Sequence, residues 1–218
     1  MGIIEIDSRS RTIFIVSNII CYGNAADLQI SNQIADEIET MWNEPNGHTE
    51  LYNNLFRVQF KISYQYNSLI PPNSIIQNEN PKNNYFRIET FCNANISFVD
   101  AIGSNTGYFL MANLYKGSTS AAHEYGHSLG LPHPKDLNII GKGVPSIMYP
   151  RGTLVNQEFQ NDTTALPNGP GGALNPQHRK VMQNNIDDLK LNSHILNGKF
   201  VLGKITNIYH EAHKKMEQ

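Results

Sequence analysis

Thr12–Ile20 is the first strongly patterned segment, a short run of isoleucine, valine, phenylalanine and threonine interrupted only by Ser17 and Asn18. Such a run predicts a buried strand. Arg9 and Arg11 precede it and lend it a loose likeness to a secretory leader. Glu5 and Asp7 occupy the would-be basic region, however, and no small-x-small cleavage site follows closely, so the strand reading is preferred. From Asp27 to Asn43 the period changes. Ile30, Ile34, Ile38 and Met41 fall on one helical face, and Glu44-Pro45-Asn46-Gly47 ends the helix. Leu55–Tyr66 alternates, with Phe56, Val58, Phe60, Ile62, Tyr64 and Tyr66 on one side and Arg57, Gln59, Lys61, Ser63 and Gln65 on the other. That alternation predicts a strand with one wet face, near a sheet edge.

Beyond Pro71-Pro72 a polar loop runs to about Asn84, and Tyr85–Phe91 and Gly107–Ala112 read as two further strands. Gly117-Ser118-Thr119-Ser120 supplies cap residues for a helix reaching about Leu129, where Gly130 stops it. The chain from Pro132 to Pro176 is rich in Gly, Pro and Asn and predicts irregular structure. Asn175-Pro176 then has the form of a cap and first-turn proline for a helix carrying Val181, Met182, Ile186 and Leu189. Residues 192–218 show no clear period. This order predicts an α/β (α+β) lobe followed by a smaller, mostly irregular one.

Composition narrows the class. The chain has 218 residues, 39% hydrophobic and 17% charged, which suits one domain with a proper core. A net charge of −2 with scattered Lys and Arg gives no nucleic-acid surface. No apolar run is long enough to span a bilayer. Cys21 and Cys92 lack metal-type spacing, and free thiols are the preferred reading over a disulfide. His210-Glu211-Ala212-His213 has its histidines three apart with no third ligand after them, so a solvated tail is expected there. His48, His178 and His194 are isolated and read as surface residues, and Asp187 and Asp188 as a solvated helix face.

The chemistry concentrates in Ala122-His123-Glu124-Tyr125-Gly126-His127-Ser128-Leu129-Gly130-Leu131-Pro132-His133. Four-residue spacing on a helix puts His123 and His127 on one face, where both imidazoles can reach one zinc ion. Glu124 follows the first ligand and can lie beside the metal without binding it. Gly130 permits a sharp turn that returns His133 as a third ligand. Three imidazoles leave one position open, as catalytic rather than structural zinc sites do.

His123-Glu-x-x-His-x-x-Gly-x-x-His133 resembles the signature of the metzincin clan of zinc metallopeptidases. Ser146-Ile147-Met148-Tyr149-Pro150 is similar to that clan's methionine turn, with Met148 as the apolar floor beneath the ligands. The wording of both segments is most similar to the matrixin branch. Close resemblance covers residues 118–150. There are departures: the gap from His133 to Met148 is longer than in matrixins, and Gly152 stands where they carry a pocket-lining tyrosine. The matrixin cysteine-switch motif, structural-zinc loop and calcium loop are not found.

The resemblance implies a single catalytic domain over 1–218. Residues 1–133 would form an upper lobe with a twisted, mostly parallel sheet, residues 134–218 a lower lobe with a C-terminal helix, and a zinc cleft would separate them. It implies hydrolysis of protein or peptide substrates by a zinc-activated water with Glu124 as general base. Tyr149 and Pro150 are candidate substrate contacts, Gly107–Ala112 the candidate edge strand for an extended substrate, and 151–175 a candidate specificity region. Family likeness leans toward a secreted setting, though no convincing leader is present. Rival readings are a non-catalytic zinc-binding module, a delivered effector or toxin peptidase with a narrow substrate, and a metal-dependent hydrolase of another amide. No oligomeric state is assigned.

Overall fold

The computed structural model describes residues 1–214. Its centre is a sheet of four parallel strands in the order β4 (Asn54–Tyr66), β2 (Thr12–Tyr22), β5 (Asn83–Glu89) and β7 (Thr106–Leu110). Antiparallel strands finish it: β3 (His48–Leu51) beside β4, β6 (Phe98–Val99) beside β7, and β1 (Gly2–Asp7) beside β2. β8 (Val201–Leu202) brings the C-terminal segment back onto β1. This is the α/β arrangement expected, with parallel strands at its heart. No helix among the described residues is long and apolar enough to cross a membrane.

The strand at Thr12–Ile20 forms, and its period of two sorts the two faces of the sheet. Ile13, Ile15, Ser17, Ile19 and Cys21 are fully buried toward helix α1 (Leu28–Asn43) and the motif helix α3 (Ser120–Ser128). On the opposite face Ile20 and Tyr22 pack with Tyr85 and with Ile75 of α2 (Pro72–Ile76), a short helix inside the expected polar loop. Helix α1 starts where the sequence indicated, because the Asp27 carboxylate accepts from Ile30 N at 2.7 Å. Its innermost residue near the C-terminus is Trp42, fully buried, rather than the half-buried Met41. Cys21 and Cys92 are free and buried, as expected.

Four expectations are corrected. On β4, Phe56, Val58 and Phe60 are buried, but Tyr64 and Tyr66 are exposed because the strand outruns the core. The segment Gly107–Ala112 is not the sheet edge: β6 lies outside β7, with Phe98 opposite Tyr108 and Val99 opposite Gly107. Gly107 allows this, since a Cβ there would stand 2.5 Å from the Phe98 carbonyl oxygen. The helix expected from Pro176 is one turn, Pro176–His178, followed by extended chain and then α4 (Gln183–Asp188) and α5 (Leu191–Leu196). Extension wins because Arg179 is committed to tertiary bonds and Ile147 N donates to the Lys180 carbonyl, pairing this stretch with the 145–147 segment.

The fourth correction concerns the C-terminal segment, which is not solvated where it is described. The backbone N–H groups of Thr206 and Asn207 both donate to Asn105 Oδ1. His210 Nε2 lies 2.8 Å from Asp100 Oδ1, and His213 stacks on Tyr108 with ring centroids 4.2 Å apart. The histidine pair therefore ties the segment to β7 and the loop before it. Residues 215–218 lie outside the described residues.

Helix α3 is held largely by α1. Trp42 Nε1 donates to the Ala122 carbonyl at 3.1 Å, and its ring forms a three-ring cluster with Phe60 and Tyr125. Trp42→Ala should cost about 3–5 kcal/mol in chemical denaturation. A loss below about 1 kcal/mol would mean that α3 is held by other contacts.

Candidate metal centre

All nine residues of α3 are buried, from Ser120 to Ser128. Within the expected cap segment, Ser118 Oγ accepts from the Ser120 N–H at 3.2 Å. Thr119 sits in a left-handed conformation at φ 59 and makes no side-chain cap; its hydroxyl donates instead to the Pro176 carbonyl at 2.8 Å. Glu37 of α1 supplies the acceptor, taking the Ala122 N–H at 3.2 Å, with Ala121 and Thr119 N–H also directed at it. Burial raises the Glu37 carboxyl, and those N–H groups oppose the rise. At the other end Gly130 has φ +107 with nothing within 4 Å of a Cβ position, so glycine is needed there for backbone conformation rather than space.

The turn at Gly130 returns the chain, and His133 comes back over the helix, set between Pro132 and Pro134. His123 Nε2 and His127 Nε2 lie 3.1 Å and 3.0 Å from His133 Nε2. The far nitrogens are fixed: His123 Nδ1 donates to the Ile147 carbonyl at 2.7 Å, and His127 Nδ1 to the Leu131 carbonyl at 2.7 Å. Those bonds set the tautomer and leave each Nε2 with a lone pair when the ring is neutral. The rings are neutral near pH 7. Burial, with the Arg179 charge adding to it, holds His123 well below the ordinary histidine range, and burial pushes His127 down to about 4.

His133 can bring a proton to one of these two nitrogens, not to both. At least one close N···N approach is therefore unsupported unless a cation stands between the rings. Tetrahedral zinc with Zn–N of ~2.0–2.1 Å separates its nitrogens by roughly 3.3 Å, close to what is seen. The three imidazoles are also the group of His, Cys, Asp and Glu side chains found close enough to hold a metal ion among the described residues. The donor set fits zinc.

Glu124 lines a cavity of about 180 Å³ together with His123 and His133. Burial raises its carboxyl to about 8, opposed mainly by the Arg179 charge and by the Val99 N–H directed at it from β6. Met148 is buried under α3 against Gly126. A Cβ on Gly126 would lie 2.4 Å from Met148 Sδ and 3.1 Å from Trp42 Cζ2, so the glycine makes room for both. The two other expected contacts separate. Pro150 lines the cavity beside Glu124. Tyr149 packs its ring with the Ile139, Val155 and Leu174 cluster of the irregular segment and borders a larger cavity of about 770 Å³ below His133.

Arg179 is the site residue that the sequence reading missed. It is 4% exposed, its Nε donates to Thr119 Oγ1 at 2.8 Å and its Nη1 to the Tyr149 carbonyl at 3.1 Å. It thereby joins the start of α3 to the methionine turn. Its only sequence signal was an arginine two residues before the apolar Val181.

The chain matches no protein-family model and no curated protein. Among solved structures it is similar to archaemetzincin from Methanopyrus kandleri, at 10% identity over 82% of this chain and 96% of that one, with a TM-score of 0.43. So low a likeness bears no weight for the site, which stands on its own geometry.

The histidines should separate in apo stability. His123→Ala removes a buried ring with a hydrogen bond and should cost about 2–4 kcal/mol without metal. His133→Ala, at an exposed position, should cost under about 0.5 kcal/mol yet abolish stoichiometric zinc, read by elemental analysis after dialysis. Zinc retained by His133→Ala would remove it from the ligand set.

Proposed function

We propose that this chain is a zinc-dependent peptidase, a single catalytic domain of matrixin-like metzincin type, with His123, His127 and His133 as ligands. The observation that carries the reading is the pair of fixed, inward-facing Nε2 lone pairs meeting His133, with Glu124 on the adjoining cavity. Zinc held by these three rings would supply Lewis acidity toward water and a carbonyl oxygen.

The protein's own groups have defined tasks. Carbonyls of Ile147 and Leu131 orient the first two rings and make their Nε2 atoms better donors. Glu124 is the general base. Its carboxylate takes the proton of the attacking water and gives it to the leaving amine. Burial makes the carboxylate basic enough to hold that proton near neutral pH, and a nearby dication brings the value back down from about 8. Met148 gives the ligands an adaptable apolar floor that takes no part in proton transfer. The open cavity beside Glu124 argues against a blocked, purely metal-binding module.

An extended substrate would lie along β6, the antiparallel outermost strand, whose Val99 faces Glu124. Cleavage within a chain, as an endopeptidase, follows from such an arrangement.

Glu124→Gln should keep about one zinc per chain and lose roughly 10²–10⁴-fold in turnover on an unstructured peptide library read by mass spectrometry. Undiminished turnover would take Glu124 out of this role. Absence of cleavage by zinc-loaded wild type would count against the peptidase reading itself.

A further inference from the structure

The cavity beside Glu124 has an unusual charge for its size. At about 180 Å³ it is smaller than the pockets of whole small-molecule ligands, ~300–1,000 Å³, and suits one side chain. Two of its lining residues are arginines, Arg179 and Arg151, and its one acid is Glu124. No ion pair within 4.0 Å joins Glu124 to either arginine among the described residues. Arg179 is pinned by Thr119 and Tyr149 through Nε and Nη1. Arg151 is exposed at the rim, where its Nη2 donates to Asn113 Oδ1 at 3.0 Å, so it is anchored across the mouth. The two guanidinium charges repel one another, and burial adds to that cost.

Glu37 offsets part of the Arg179 charge from outside the cavity, while the lining itself holds two guanidiniums and one acid, so its own charges favour an anion. An apolar substrate side chain entering here would leave Arg179 only its Thr119 and Tyr149 acceptors and add none. A carboxylate would receive planar, charge-assisted hydrogen bonds.

We infer that this cavity is a carboxylate-recognising subsite, with Arg179 as its fixed base and Arg151 as its rim, so that substrates carry a carboxylate next to the cleaved bond. The inference rests on the peptidase reading above and names the substrate class for that site. Two sources share the chemistry: an Asp or Glu side chain flanking the bond, or the carboxylate of the substrate's own C-terminus.

Two measurements on the zinc-loaded protein test it. In peptide libraries with free and with amidated C-termini, Asp and Glu should be enriched at one flanking position by at least about 10-fold. If the terminal carboxylate is the ligand, cleavage should instead fall by that factor on amidation. Arg151→Glu, a change at an exposed rim position, should shift the preference toward Lys and Arg. Efficient cleavage with neither dependence would overturn the subsite and leave the peptidase standing. The second measurement needs no turnover: NMR of arginine side-chain N–H groups, with Arg179→Lys assigning the Arg179 signal. N-acetyl-aspartate amide or N-acetyl-alanine should shift that signal, and N-acetyl-asparagine amide should not. If no peptide is cleaved, a shift would support the subsite and its absence would overturn it.

Discussion

The site depends on one constraint: a nine-residue helix must be held rigidly with its whole surface buried. In isolation such a helix is too short to persist, since helices under about 12–15 residues are marginal in water. Its order comes from outside. Glu37 takes its free N-terminal amides, Trp42 bonds to the Ala122 carbonyl, and Tyr125 reaches Ser17 of the central strand at 2.7 Å. Ser128 near its end receives the Met1 amine at 2.8 Å. Each contact comes from α1, from β2 or from Met1, the residue before β1. The sheet and first helix thus act as a frame that fixes two imidazoles one turn apart.

Opposing this rigid half is a segment with little regular structure. It joins the core under α3 through Ile147, Met148 and Val181, and a polar link adds to that apolar contact. Arg179 spans from Thr119 to the Tyr149 carbonyl, while Ser146 and Asn185 bond to one another within the segment at 2.8 and 3.0 Å. Its own apolar cluster of Ile139, Val155 and Leu174 is small. Loops can be long here because the frame above has already fixed the ligands, and the third histidine needs only the Gly130 turn and its flanking prolines to arrive.

Much of this was legible in the sequence where period and chemistry agree. Helix α1, strands β2 and β4, and the spacing His123, His127, Gly130 and His133 follow from local rules, and the structure brings the three rings together. Where tertiary bonds compete with local signals, the reading failed. Of the expected cap segment Gly117–Ser120, Ser118 takes a helix N–H, but the Thr119 hydroxyl goes to Pro176. Pro176 looked like a helix start, yet the chain extends because Arg179 and Lys180 are taken by partners far away in sequence. Strand β6 is two residues long, too short to show a period, and its place beside Gly107 depends on an absent Cβ. The histidines of the C-terminal segment find Asp100 and Tyr108, partners roughly a hundred residues away that no local pattern announces.

The account stands or falls on three imidazoles holding one zinc ion with a further position left open. X-ray absorption at the zinc edge on the loaded protein tests this most directly. It should show four nitrogen or oxygen donors at about 2.0–2.1 Å, three of them with the multiple scattering of imidazole rings. Sulfur in the coordination shell, or fewer than three imidazoles, would contradict it.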